Sequence, residues 1–498
     1  MIYPSKNDFL ELVKQGQIPP IYKEISYADP QDIYSILKEI NSILFQSIKG
    51  PFNISRYSFI CFQPYLILKV ERSQTIVESK SRKSISNKNP ILRLRELVTA
   101  YQQRPIDSLP PFQGGAAGFL SYDYVRYLED IPCSGIKDID IPDAHFLMID
   151  RLISFDHKEK KAWIICCPGA RDNYFGFNEI DVEWNDKYFK TSELINDIEN
   201  KIKKGLSFKD SNPSIPKKEN NIEIKHLTTR SDYIYMVKAA LEYIKAGDIF
   251  QANLSQRVGA DISDTDPWEI YKTLSVINPS PFACYLDFGG YQIVSSSPER
   301  LVKVERGSPS IVETRPIAGT RPRGGTENED MAMRKELLLN EKERAEHIML
   351  IDLERNDIGR VCEYGSVKVD ELMITELYSH VIHIVSNVIG QLKSDKDCFD
   401  TLEAVFPGGT ITGVPKVRCM EIIDELEPVL RGPYTGSAGY IGFSKDMDFN
   451  IIIRTFLIKD KMAYVQAGAG IVADSNPEAE YYESLKKAEA LVKTLKSI

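Results

Sequence analysis

The 498-residue chain has no C-x-x-C pair, no long apolar run and no surplus of positive charge. Its eight cysteines include one close pair, Cys166 and Cys167, so neither a zinc site nor a disulfide framework is implied, and a reducing compartment fits. With 62 Lys+Arg against 71 Asp+Glu the net charge is -9, which excludes a general binder of nucleic acid or anionic membrane. Any anionic ligand must be captured locally. The opening stretch MIYPSKNDFLELVKQGQIPP resembles neither a signal peptide nor a membrane anchor, and the expectation is a cytoplasmic protein. No G-x-x-x-x-G-K-[ST] loop occurs, so nucleotide binding is not indicated. What remains is ordinary globular composition, 43% hydrophobic and 27% charged. At ~100 to 200 residues per domain, the length fits two to four domains.

Residues 1–195 alternate β-rich runs such as YLILKVE and KAWIICC with helical patches such as PQDIYSILKEINSILFQ and NPILRLRELVTAYQQ. Residues 196–227, rich in Lys, Asn, Ser and Pro, read as an exposed connector. From 228 to 498 the text becomes denser, beginning with a helix DYIYMVKAALEYIKAGD ended by Gly247 and a strand IFQANLSQRVGA. Strands and helices interleave without a regular β-α-β rhythm, which places the chain in the α+β class.

The richest segment for chemistry is EKERAEHIMLIDLERNDIGRV, a helix that puts Glu343 and Glu346 on one face. Alone it reads first as a solvated salt-bridge stripe. A second acidic helix follows near the C-terminus, with Ser475 as candidate N-cap and Glu480 and Glu483 three positions apart. Two such helices could hold one hard cation such as Mg2+, which takes a few carboxylates, waters and an anionic substrate. Glycine-rich turns are expected at PIAGTRPRGG, FPGGTITGVPK and Gly468–Gly470, where backbone N–H groups could approach an anion. Arg454, inside IIIRTF, and Lys416 are candidate partners for a ligand carboxylate, and Arg454 is the better one, because a charge among isoleucines needs a partner. His383 alternates with apolar residues like a core strand histidine. With only six histidines present, it is also the leading neutral-pH proton carrier. The residues alone lead to a Mg2+-dependent site for a small dicarboxylate, built from the second half.

Taken in order, the strings SSSPERLV, TRPIAGTRPRG, EKERAEHIMLIDLERNDIGRV, YSHVIHIVSNVIG, FPGGTITGVPKVRCMEIIDELEP, RGPYTGSAGYIGF, FNIIIRT and QAGAGIVADSNPEAEYYESLKKA resemble the chorismate-utilising enzyme family over nearly all of 228–498. Upstream, IPPIYKEISYADP, FQSIKG and SRYSF are similar to the N-terminal, regulatory and structural region of anthranilate synthase large subunits. The resemblance implies a two-part sandwich with mixed, mostly antiparallel sheets. It implies Glu346 and Glu483 as Mg2+ ligands with Glu480 beside them, and Gly319, Thr320, Tyr434, Arg454, Gly468, Ala469, Gly470 and Lys487 as substrate contacts. Glu299, His383, Glu343 and Thr410 match its catalytic positions, with Glu299 protonating the departing 4-hydroxyl.

Within that family, isochorismate and salicylate synthases carry a lysine base where this strand has Gln251, and aminodeoxychorismate synthases commonly carry a lysine nucleophile where this chain has Ala318. The resemblance therefore implies addition of free ammonia at C2 and pyruvate elimination, giving anthranilate. Aminodeoxychorismate synthesis is the alternative, because QANLSQR, GGTITG and FNIIIRT are closer to those synthases. The family's tryptophan feedback site is matched by Leu44 to Ser47, with Gln46 in place of the usual Glu, and by Asn278, Pro279, Ser280 and Pro281. No G-x-C-x-G elbow is present, so a separate glutamine amidotransferase subunit is expected to supply the ammonia.

Overall fold

The computed structural model describes residues 1–172, 183–207, 222–263, 265–377 and 381–498. Two large sheets, of 13 and 12 strands, stack on each other, and every pairing between their named strands is antiparallel. The chain is α+β, as its irregular interleaving of elements implies. Both sheets are shared between the two halves of the sequence. In the first, Ser42–Gln46 pairs with Phe282–Asp287; in the second, Gly115–Leu120 pairs with Ser437–Gly442. One core lies between the sheets, around Phe59, Phe112, Phe119, Leu147, Ile293 and Tyr440. Two more lie between each sheet and its covering helices.

Local rules decide many of the elements. Thr229 caps the helix Arg230–Ala246, and Gly247 ends it at φ 82. The patch PQDIYSILKEINSILFQ is helical only over Pro30–Leu37; its second half is the strand Ser42–Gln46, buried at all but one position. The expected connector is corrected too. Residues 196–207 finish the helix Trp184–Ser207, whose Ile195, Ile198 and Ile202 are buried at helical spacing, and Lys225–His226 pairs with the strand Gln251–Asp261. The rest of that stretch, 208–221, lies outside the described residues. Among the described residues no helix is long and apolar enough to cross a membrane.

Candidate functional site

The two acidic helices are Glu341–Gly359 and Pro477–Lys496. Asn340 caps the first through the Glu343 N–H at 3.0 Å. The second is capped by Asn476 rather than the expected Ser475, whose hydroxyl instead accepts from the Val472 N–H. Glu346 is half-buried. Burial pushes its carboxyl up, Lys342 opposes this, and the charges of Glu343, Glu483 and Asp474 add to it. Glu480 behaves likewise: burial raises it, Ser475 opposes, and Glu483 adds to the rise. Glu346 thus lies near Glu483 of the facing helix, and Glu480 near Glu483 on its own helix, with Lys342 at their edge, 3.2 Å from Asp474. Glu343 points elsewhere, to Arg321 at 3.0 Å, and Lys487 lies 2.9 Å from Glu483. Among the described residues no three metal-ligating side chains already form a cage.

The segment Gly468–Gly470 is not a turn. It continues the strand Met462–Ile471, in register with Gln251–Asp261, because glycines let two backbones pack closely; a methyl on Gly468 would come within 2.5 Å of the Leu254 carbonyl. The geometry still leaves the amides usable. Opposite residues of an antiparallel pair exchange either two hydrogen bonds or none. The Ser255 N–H donates to Glu427 at 2.8 Å and the Asn253 N–H to the Thr412 carbonyl at 2.9 Å. Their partners Gly468 and Gly470 therefore aim their N–H groups away from that strand. On the other edge, pairing with Thr455–Lys459 stops at Phe456 opposite Val465, which leaves this stretch open.

Arg454 immediately precedes Thr455–Lys459, in left-handed backbone at φ 54. Its guanidinium donates to the Lys487 carbonyl at 2.6 Å. Burial pulls its pKa down, with Tyr434 opposing, and among the described residues no carboxylate pairs with it. A half-buried cation beside an open row of amides suits an anion.

Glu299 is buried, and its Oε1 has no hydrogen-bond partner among the described residues. Burial pushes its carboxyl up to about 7, with Thr410 and the Ile317 amide opposing. The Thr410 hydroxyl stands beside it, short of hydrogen-bond geometry and likewise without a partner. A carboxylic acid that keeps its proton near neutral pH can act as a general acid. His383, on the strand Val381–Gln391, meets Thr320 Oγ1 at 3.0 Å and the Gly319 carbonyl at 3.3 Å through Nδ1. Burial pushes this imidazole down to about 4. At pH 7 that keeps the ring neutral, able to hydrogen-bond or to accept a proton but not to donate one as imidazolium. Gly319 is part of the strand Ile317–Pro322, at a register shift, rather than of a free turn. Its φ of 66 requires glycine, and a methyl would sit 2.6 Å from Glu343 Oε2.

Comparison with known proteins follows the same lines. The model for the chorismate binding enzyme family matches residues 41–493. The chain belongs to the chorismate binding enzyme family. It is 42% identical over 503 residues, 99% of each chain, to anthranilate synthase component 1 of Acetivibrio thermocellus. It is also 42% identical over 460 residues, 91% of each, to aminodeoxychorismate synthase component 1 of Bacillus subtilis. The crystal structure of anthranilate synthase component I from Streptococcus pneumoniae superposes with a TM-score of 0.75 at 36% identity, covering 87% of this chain and 91% of that one. The chain is therefore a chorismate-utilising enzyme.

For a member of this family the remaining candidates sort clearly. Lys416 is not available to substrate, because it is held by Asp357 at 2.7 Å and the Val405 carbonyl at 2.8 Å. The two segments matched to the feedback site, 234 positions apart, do meet: Ser47 Oγ donates to the Pro281 carbonyl at 3.0 Å and the Ile48 N–H to the Ser280 carbonyl at 3.1 Å. Pro279 lies between Asn278 and Ser280, whose Oγ donates back to the Asn278 carbonyl at 3.3 Å. A cavity of about 500 Å³ opens there, lined by Phe45, Gln46, Ser47, Pro281, Phe282 and Tyr440 among others. Sequence reasoning missed two groups close to the candidate site. Asn253 stands on the same strand face as Gln251, a signal that period-2 alternation carries. Glu354 is buried on the first acidic helix, its carboxyl raised by burial and then by Asp357; nothing in its local text distinguishes it from a solvated acid.

Proposed function

We propose that this enzyme is an anthranilate synthase large subunit, converting chorismate and ammonia into anthranilate and pyruvate with Mg2+. The observation that carries the reading is the pairing of a proton-bearing acid with an absence of nucleophiles. Glu299 is flanked by the Ile317 amide, and the next residue is Ala318, which offers no atom that could attack the ring. Gln251 cannot deprotonate water. Ammonia is then the nucleophile at C2, and Glu299 gives its proton to the 4-hydroxyl as it leaves. Arg454 and the N–H groups of Gly468 and Gly470 meet the carboxylates, and Tyr434, Thr320 and His383 surround the ring.

The residues suit Mg2+. Glu346, Glu480 and Glu483 crowd like charges, and a divalent cation relieves that crowding while leaving positions for water and substrate oxygens. Bound there, the ion would supply positive charge against a substrate carboxylate.

Ammonia is proposed to come from a separate amidotransferase subunit. Seven of the eight cysteines are buried, and burial raises each of those thiols, so none is a ready nucleophile. The cavity beside Ser47 and Pro281 is the proposed site for L-tryptophan as feedback inhibitor.

One observation favours aminodeoxychorismate synthesis as the second reading. Gln46 Oε1 already accepts from Tyr271 Oη at 2.8 Å and Gln31 Nε2 at 3.1 Å, so that position offers no anion to the ammonium of tryptophan. Incubating the chain with chorismate, Mg2+ and excess ammonium close to neutral pH, where Glu299 still holds part of its proton, decides between them. A fluorescent anthranilate product is expected; 4-amino-4-deoxychorismate in its place removes the first reading and installs the second.

A further inference from the structure

A buried ion pair behind the substrate contacts has no role so far. Glu427 ends the helix Lys416–Leu426 and Arg431 follows in the next loop; the two are 5% and 3% exposed. Arg431 Nε donates to Glu427 Oε2 at 2.9 Å and Nη2 to Oε1 at 2.7 Å, a bidentate fork. Nη2 also donates to the Asn253 carbonyl at 2.6 Å, and Nη1 to the Ile411 carbonyl and Thr435 Oγ1, both at 3.2 Å. Those five bonds are the full donor capacity of a guanidinium. Glu427 Oε1 in turn accepts from the Ser255 N–H and Oγ, each at 2.8 Å.

Three segments of the site meet at this pair. Past Ala252 the strand Gln251–Asp261 loses its outer partner, Gly413–Val414, and the ion pair takes up the Asn253 carbonyl and the Ser255 N–H in its place. Ile411 follows Thr410, whose hydroxyl stands beside Glu299. Thr435 follows Tyr434 and holds φ 60, a left-handed conformation that is costly for a β-branched residue. Its N–H donates to the Ile452 carbonyl at 2.8 Å and its hydroxyl to the Tyr434 carbonyl at 2.6 Å, so three bonds hold the strained residue in place. The guanidinium also lies over the Tyr122 and Tyr434 rings, 4.7 and 5.6 Å from their centroids. A buried ion pair is by itself weak evidence for stability, because apolar residues of like volume often serve as well. Strained backbone held next to a substrate contact points to the site instead.

We infer that Arg431 and Glu427 form the positioning element for chorismate, fixing Tyr434, Thr410 and the strand opposite Gly468 and Gly470 in one geometry. This rests on the proposed placement of chorismate. Arg431 acts through other residues rather than on the substrate, since all five of its donors are taken. Lysine cannot replace it, because an ammonium has three donors and no planar fork.

The test is steady-state kinetics on the full chain with chorismate varied at saturating Mg2+ and ammonium, close to neutral pH, for wild type, Arg431→Lys and Glu427→Gln. Each is assayed well below its own thermal midpoint, so that only folded enzyme is read. kcat/KM for chorismate is expected to fall roughly 10- to 100-fold in Arg431→Lys, the scale of a ~1 Å misplacement. A smaller loss, roughly threefold or more, is expected in Glu427→Gln, which keeps an acceptor for the Ser255 N–H. A pair that only supports the fold would lower the midpoints and leave kcat and KM at wild-type values, and that result overturns the inference. If Arg431→Lys does not fold, Glu427→Gln decides by the same criterion. No turnover of chorismate by wild type overturns the proposed reaction together with the inference.

Discussion

Arg454 Nη1 donates to the backbone carbonyl of Lys487 at 2.6 Å, which fixes the guanidinium between the sheet and the helix that carries Glu480 and Glu483. One carbonyl does not neutralise a cation, and the remaining donors are free to take a carboxylate in fork geometry. Replacing Arg454 with Met is expected to raise the chorismate KM roughly 10- to 100-fold, the worth of a charge-assisted bond. Because the cation lacks an acidic partner, the thermal midpoint of the ligand-free variant should not fall. A wild-type KM in this variant would remove Arg454 from the substrate site.

Glu299 gives a pH dependence of definite sign. Its folded carboxyl is raised to about 7 from 4.5, so the folded state holds the proton more tightly than the unfolded one. The associated stability is fully present below 4.5 and is lost as pH rises through about 7, a change on the order of 3 kcal/mol. Activity that needs the protonated acid should decline over the same upper limb. Glu299→Gln is expected to lose turnover and to flatten the stability profile between those pH values, measured by denaturant unfolding. An unaltered profile would show that the carboxyl titrates elsewhere.

His383 has the opposite sign. Burial lowers it to about 4 from 6.5, so its contribution is complete above 6.5 and disappears as pH falls through about 4. The ring C–H resonances of His383, assigned by comparison with His383→Gln, should show no titration between pH 8 and 5. A midpoint near 6.5 would contradict the enclosed, neutral ring.

The acidic helices predict a metal response with a readout other than turnover. Adding Mg2+ to the wild-type chain should raise its thermal midpoint, and a chelator should reverse this and stop turnover. Glu346→Gln and Glu483→Gln should each weaken Mg2+ binding at least tenfold by calorimetry. Wild-type affinity in both would remove these residues from the ion.

Much of the catalytic face was legible because its signals are local. Spacing of three puts Glu343 and Glu346 on one helix face, yet only packing separates them: Glu343 turns to Arg321 at 3.0 Å while Glu346 faces Glu483. Arg454 stood out because a charge within an isoleucine run needs a partner. FPGGTITGVPK is the expected turn, but the segments at Gly319 and Gly468–Gly470 misled, since glycine marks a close backbone approach as often as a turn, and sequence does not say which. Lys416 and Glu354 were beyond reach for the same reason: whether a charged residue meets solvent, ligand or a buried partner depends on what the sheets bring beside it.

By itself the sequence determined the α+β class, the end of the helix Arg230–Ala246 at Gly247, the acidic faces and the membership that its ordered motifs carry, because capping, periodicity and motif spacing act over a few residues. Only the tertiary structure decided that both sheets are shared by the two halves, that Ser47 meets Pro281 across 234 positions, and that Glu299 keeps its proton near neutral pH. Those outcomes depend on strand pairing and on loss of solvent, and neither is a property of any short stretch of chain.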